Sequence, residues 1–367
     1  MPRARQVERI GHFNMLKIQK KQGLSQKQEA ILRISTILIA LICAGLIMAI
    51  LGYNPFTMYS KLIKGALGSK YNITSTITKC IPLLILSLGV SIAFKMKFWN
   101  IGAEGQFYMG AFGATWVWLA LPNLPIFVML PLMLLTAFVF GGIWALIPAL
   151  LKHKLGTSET LVTLMMNYVA IKWVTYLQYG PWKDPAEKNM PKIFKYTENS
   201  TLPKLFGVHI GWIIALVLVV LVYIMMKYTK FGFEISVLGE NTQTARYAGM
   251  NVTRTLILAV LLSGGICGLA GVIQATGNEG RLAADISAGL GFTAIITAWL
   301  AKLSAPMILV TSFLFAILLQ GGAYLQVAMQ IPASVSGVIQ GIILFFVLAS
   351  EFFTNYKFVV CKPEVKD

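Results

Sequence analysis

From residue 34 to residue 352 the chain alternates long apolar runs with short polar ones. Crossing the hydrocarbon core of a bilayer takes about 20 helical residues. On that measure the pattern predicts ten spanning helices, over 34–51, 80–94, 101–121, 126–151, 160–179, 210–226, 255–276, 286–301, 306–328 and 332–352. The second and eighth are short, and several are rich in Gly or Pro. Transporters place broken helices and binding sites in such interrupted spans. The expected fold is an all-α polytopic membrane protein. Residues 1–33 read as a polar, basic N-terminal tail, 34–353 as the transmembrane domain and 354–367 as a C-terminal tail. The first apolar run starts late and no small-residue cleavage site follows it, so the tail is not expected to be a signal peptide.

Between the sixth and seventh spans, residues 227–254 (KYTKFGFEISVLGENTQTARYAGMNVTR) form the one long, well-mixed polar stretch flanked by apolar blocks. Gly232 and Gly239 read as turns, ENTQTARY (240–247) as a short helix, and Gly249 as its left-handed terminator. This helix is expected on the cytoplasmic face, as a surface that another chain pushes.

Two further segments stand out. FWNIGAEGQ (98–106) precedes the third span, and ATGNEGR (275–281) follows the seventh. Both contain G-x-E-G and then a long polar residue, so that Gly102, Glu104, Gly105 and Gln106 answer to Gly277, Glu279, Gly280 and Arg281. One faces in and the other out in the ten-span topology. An inverted repeat of spans two to five and seven to ten would produce that, and so would a chance match. A carboxylate at mid-bilayer costs about 2.5–3.5 kcal/mol on insertion scales. Glu104 and Glu279 therefore either line a watery path, together with Asn100, Gln106, Phe107, Asn167 and Arg281, or cap helix N-termini. Asn100 is expected as an N-cap and Asn167 as a hydrogen-bonding link between helices. Trp116 and Trp118 read as interfacial belt residues. Gly264, Gly265, Gly268 and Gly271 read as a face for close helix packing.

Composition sharpens this picture. Only 12% of the 367 residues are charged and 57% are hydrophobic, whereas a soluble domain carries about 25% charged residues. The net charge of +17 follows from cationic loops and tails. Most Lys and Arg fall on the inner segments if both termini are cytoplasmic. No basic helix with interleaved aromatics occurs, so no nucleic-acid partner is expected. Cys43, Cys80, Cys267 and Cys361 form no CxxC pair, which predicts neither a disulfide framework nor a metal site. His12, His153 and His209 are expected on the surface. The loop 180–209 mixes Lys, acids and Pro and reads either as a folded outer cap or as a solvated connection. There is no phosphate-cradling G-x-x-x-x-G-K-[ST] and no H-E-x-x-H, so the chain is not expected to be an enzyme or to bind a cofactor.

Residues 98–114 (FWNIGAEGQFYMGAFGA), 156–170 (GTSETLVTLMMNYVA) and 239–252 (GENTQTARYAGMNV) carry a resemblance to the membrane permeases of ABC importers for nucleosides and simple sugars. That family is related to the ribose and branched-chain amino-acid permeases. The resemblance covers about 81–353, and the stretch 292–306 departs from the family's more Gly-rich pattern. It implies a transport subunit in a bacterial cytoplasmic membrane, paired with a second permease chain and surrounded by lipid. Its partners would be an ABC ATPase, which alone uses ATP, and an extracellular substrate-binding lipoprotein. The segment 239–249 would be the coupling helix, with Glu240, Asn241, Arg246, Tyr247 and Gly249 at the ATPase joint. Nucleosides are the substrates expected first, and simple sugars such as ribose or galactose, or another small solute, second. An ion-coupled carrier is the rival class, and it would need buried ionisable residues that the spans barely supply.

Overall fold

The computed structural model describes residues 15–20, 26–187 and 190–361. These fall into two compact units, one of residues 1–55 with 338–367 and one of residues 56–337. In the first unit, α1 (Gln26–Ile50) begins inside the segment read as a tail. Strand β1 (Met15–Lys20) pairs antiparallel with β4 (Tyr356–Cys361), Met15 lying opposite Cys361. His12 lies outside the described residues.

The second unit holds α2 (Pro55–Leu67), α3 (Lys70–Lys95), α4 (Ala103–Ala120), α5 (Ile126–Leu155), α6 (Glu159–Tyr179) and α7 (Gly211–Tyr228). After them come α8 (Lys230–Glu240), α9 (Thr242–Tyr247), α10 (Val252–Gln274), α11 (Leu290–Leu300) and α12 (Ala305–Ala328). Helix α13 (Ala333–Asn355) begins in this unit and continues, from residue 338, in the first, and a short hairpin, β2 (Lys204–Leu205) and β3 (Val208–His209), precedes α7. A π-helical turn, Ala275–Glu279, prolongs α10. Among the described residues five helices are long and apolar enough to cross a membrane: α3, α5, α7, α10 with its π turn, and α12. The number rises to six if α1 and α2 count as one. Helices α4, α6 and α11 cover other predicted spans but fall short of that test. Polar residues interrupt α4 (Glu104, Gln106) and α6 (Asn167, Lys172), and α11 is only 11 residues long. The expected short second span is in fact α3, which starts at Lys70 and carries Lys79 within it.

Helix α10 is the centre of this unit and packs most extensively on α5, α4 and α3. Its glycines make that possible. Gly268 lies against Ala137 and Gly141 of α5, and Gly271 against the Phe107 carbonyl of α4. A Cβ at either position would overlap backbone. Small residues let helix axes approach in this way when lipid supplies no hydrophobic drive between helices.

Two expected turns are helical instead. Gly232 and Gly239 sit inside α8, where Gly232 meets Met225 and Met226 and Gly239 meets the Lys95 carbonyl. Their role is close approach, not chain reversal. The loop 180–209 is folded. Ile193, Tyr196, Leu202, Val208 and His209 are buried in it. Tyr196 N–H donates to the Gly280 carbonyl (2.9 Å) and Leu202 N–H to Thr276 (3.2 Å), fixing the loop to the end of α10. The Tyr196 hydroxyl pairs with Thr115 Oγ1 at 2.6 Å, and burial pushes its pKa up. Trp118 is 5% exposed and donates from Nε1 to Thr197 Oγ1 at 2.9 Å, so it anchors this cap instead of joining the belt. Trp116, at 51% exposure, does face outward. His209 is also a correction: it is 2% exposed, and neither ring nitrogen has a hydrogen-bond partner among the described residues. Gly211 and Gly277 leave the space its ring fills. Burial, and then the neighbouring Lys204 charge, lower its pKa to about 4, so the ring is neutral near pH 7.

Candidate functional site

The predicted site residues divide into three places. Asn100, Glu104, Gln106, Phe107 and Asn167 gather around the first turn of α4, all buried. Asn100 and Gln106 form a reciprocal amide pair: Gln106 Nε2 donates to Asn100 Oδ1 (2.9 Å) and Asn100 Nδ2 to Gln106 Oε1 (3.1 Å). Asn100 is not the N-cap, which is Gly102; its Oδ1 accepts the Gly102 N–H two residues on. Its Nδ2 also reaches Ser263 Oγ on α10 (3.4 Å), and Ser263 donates to the Gly89 carbonyl on α3 (2.7 Å). Asn167 on α6 closes another side, donating to the Ile101 carbonyl and accepting from Gly105 N–H, both at 2.8 Å. It acts as the interhelical link its position in an apolar run suggests.

Glu104 Oε2 accepts the Gly291 N–H at 2.7 Å. The carboxylate, 3% exposed, thus faces the N-terminus of α11, where the helix dipole favours negative charge. Of the two roles open to this residue, the geometry matches capping, although the capped helix is distant in sequence. Phe107 is wholly buried, its ring edge-on to Tyr108 at 5.7 Å between centroids. Trp99 stacks on Trp299 at the far end of α11 (5.6 Å), with Phe94 beside both. This cluster ties α4 to α3, α6, α10 and α11.

Glu279 and Arg281 lie elsewhere, in a cavity of about 600 Å³ between the end of α6, residues 190–192 and the segment after α10. Glu279 Oε1 accepts from Asn278 Nδ2 (2.9 Å) and Gln274 Nε2 (3.3 Å). Arg281 donates from one guanidinium nitrogen to Glu187 Oε1 at 3.0 Å. Gln178 joins the walls, accepting from Ala284 N–H (2.8 Å) and donating to the Pro191 carbonyl (3.0 Å). The two G-x-E-G segments adopt different backbones. The first opens a helix, whereas the second ends one, with Gly280 at φ 69°. Sequence reading missed Lys79, Asp285 and Gln178 here. Asp285 and Lys79 both act electrostatically on Glu279. Lys79 lay outside the run taken as the span, and only an earlier helix start would have flagged it as an ionisable residue in an apolar helix.

The third place is the α8–α9 face. Glu240 ends α8 and does not open the next helix. Asn241 is extended (φ −154°) and caps α9, its Oδ1 accepting Gln243 N–H at 2.8 Å and Thr244 N–H at 3.3 Å. Gly249 follows α9 at φ 74°, the left-handed terminator expected. Arg246 is exposed and Tyr247 is 92% exposed, while Ala245 is buried beneath them. The helix below, α8, is tied to its neighbours. Thr255 Oγ1 of α10 donates to Glu234 Oε2 of α8 at 2.8 Å, and Gly239 presses on the end of α3. A cavity of about 540 Å³, edged by Lys230, Gly249 and Arg254, opens beside α9.

No group of three metal-ligating side chains occurs among the described residues. A bundle of long apolar helices with polar links inside it is the architecture of a multi-pass membrane protein. The chain belongs to the family described as the branched-chain amino acid transport system / permease component, which matches residues 72–348. It is 34% identical to the glucose ABC transporter permease protein TsgB13 of Haloferax volcanii, over 88% of each chain. It is 31% identical to the guanosine ABC transporter permease protein NupP of Bacillus subtilis, over 86% of this chain and 91% of that one. Identity to the nucleoside ABC transporter permease protein NupB of Lactococcus lactis is 30%, over 88% and 92%.

Proposed function

We propose that this chain is the permease subunit of an ATP-driven importer that carries nucleosides, with α9 as the joint to a separate ATPase. The observation that carries this reading is the pairing of family membership with an exposed, doubly terminated α9 that follows α8, itself fixed to α3 and α10. ATP binds to the partner and not to this chain. Closure of the ATPase pair pushes on Arg246 and Tyr247, and α8 passes the movement into the bundle. Single exposed ion pairs at such a joint contribute little, so rigid packing carries the coupling. A second permease chain completes the path, and an extracellular binding protein delivers the solute. Both termini face the cytoplasm, and α4, α6, α11 and α13 complete a ten-span bundle. Asn100, Glu104, Gln106 and Asn167 hold the path's walls in register, while Glu279 and Arg281 stand at its outer mouth.

A simple sugar is the second reading, favoured by the 34% identity to a glucose permease. The test is uptake of labelled guanosine, adenosine, uridine, glucose and ribose by cells that express the permease with its ATPase and binding protein. Saturable nucleoside uptake that stops when the ATPase is inactivated is the expected result. Uptake of sugar alone moves the substrate. Uptake that survives without the ATPase and collapses with the ion gradient makes the protein a secondary carrier.

A further inference from the structure

The cavity that holds Glu279 and Arg281 contains more chemistry than an outer mouth needs. We infer that it is a selectivity site that receives the vicinal hydroxyls of the solute, with the Glu279 and Asp285 carboxylates as acceptors and Arg281 as donor. The inference rests on the importer reading and adds to it the part of the solute that is recognised.

Three features of the cavity support it. Its volume of about 600 Å³ lies in the range of small-molecule sites. Its frame is already satisfied: Gln178 spends both ends of its amide on backbone, at Ala284 and Pro191, and so fixes the two walls at a set distance. The acceptors, by contrast, are unspent. Among the described residues neither the second oxygen of Glu279 nor the Asp285 carboxylate has a hydrogen-bond partner. The two carboxylates act on one another electrostatically, and Lys79 acts on Glu279 from α3. Arg281 offers further N–H groups beyond the one given to Glu187.

The balance of charge points to an uncharged ligand. Three acids, Glu187, Glu279 and Asp285, stand with three bases, Arg281, Lys192 and Lys79, in or beside the same space. Neither a free cation nor a free anion gains from that set. A diol does, since each hydroxyl donates to a carboxylate and accepts from a guanidinium. Tyr179 and Ala284 give the cavity an apolar side for the face of a ring. Ribose in a nucleoside and a free hexose share this pattern of adjacent hydroxyls.

The experiment is equilibrium binding of labelled guanosine, 2′,3′-dideoxyguanosine, glucose and leucine to the purified permease–ATPase complex in lipid nanodiscs, without binding protein. The wild type is expected to bind guanosine or glucose at least about tenfold more tightly than the dideoxy compound. Asp285→Asn and Glu279→Gln are expected to remove that preference by weakening the hydroxylated ligand, with dideoxyguanosine unchanged and thermal stability retained. Equal preference in wild type and both variants overturns the site. So does tighter binding of leucine, or no binding of any solute in a complex whose cellular uptake is intact, and in those cases the importer reading stands. Absence of nucleoside and sugar uptake in cells overturns the importer reading itself.

Discussion

Glu104 shows how one residue settles between two roles. In sequence it is a carboxylate in an apolar run, equally suited to a path or to a cap. Its partner Gly291 lies so far along the chain that no local pattern reveals it. Glu104→Ala removes the acceptor from a buried N–H, which costs about 1–3 kcal/mol; Glu104→Gln keeps an acceptor and is expected to lose less. Thermal unfolding in detergent measures both, and equal losses would refute the contact as drawn. Asn167→Leu strands the Ile101 carbonyl and the Gly105 N–H together, at about 1–3 kcal/mol each. His209 gives a pH signature. Its folded pKa of about 4 lies below the ordinary 6.5, so the unfolded chain binds the extra proton between those values. Stability is therefore full above about pH 6.5 and declines as pH falls toward 4. His209→Phe is expected to flatten that slope in melting curves recorded from pH 4 to 7.5. Nothing in its neighbours' sequence marked this histidine as buried; the glycines that make room for it are Gly211 and the distant Gly277.

At the scale of elements, α9 was legible because its signals are local. The polar run and the glycine terminator lie within ten residues and fold as read, except that the helix starts at Thr242, capped by Asn241, and not at Glu240. Gly232 and Gly239 were not, since a glycine that starts a turn and one that admits a neighbouring helix look alike in one dimension. Gly249→Pro and Arg246→Glu are each expected to abolish substrate-stimulated ATP hydrolysis in the reconstituted complex while the melting temperature stays within a few degrees. Full activity in both would remove α9 from the joint. The glycine face of α10 makes the opposite kind of prediction. Gly268→Val forces a branched side chain onto the Ala137 carbonyl, and overpacking of that sort costs about 1–3 kcal/mol. Its effect should appear as lost stability before any change in selectivity, measured by melting the purified chain.

For the whole molecule, the alternation of apolar and polar runs was enough to announce a helical membrane protein, and the family match bears that out. Span boundaries were less legible. The polar start of α3, from Lys70 to Lys79, hid its first turns from a hydropathy reading, so that span was cut short. The folded cap over 180–209 was one of two readings left open, and tertiary contacts to α4 and α10 decided it. Those contacts bear on α10 in another way. From Val252 to Glu279 it runs 28 residues, about 42 Å at 1.5 Å each. The Asn251 side chain caps it directly after α9, and at the other end it carries Glu279. Between those ends Gly268 and Gly271 rest directly on backbone of α5 and α4, while Gly265 seats the Phe138 ring. Such a helix reaches as one continuous element from the α9 side of the bundle to the folded loop 180–209.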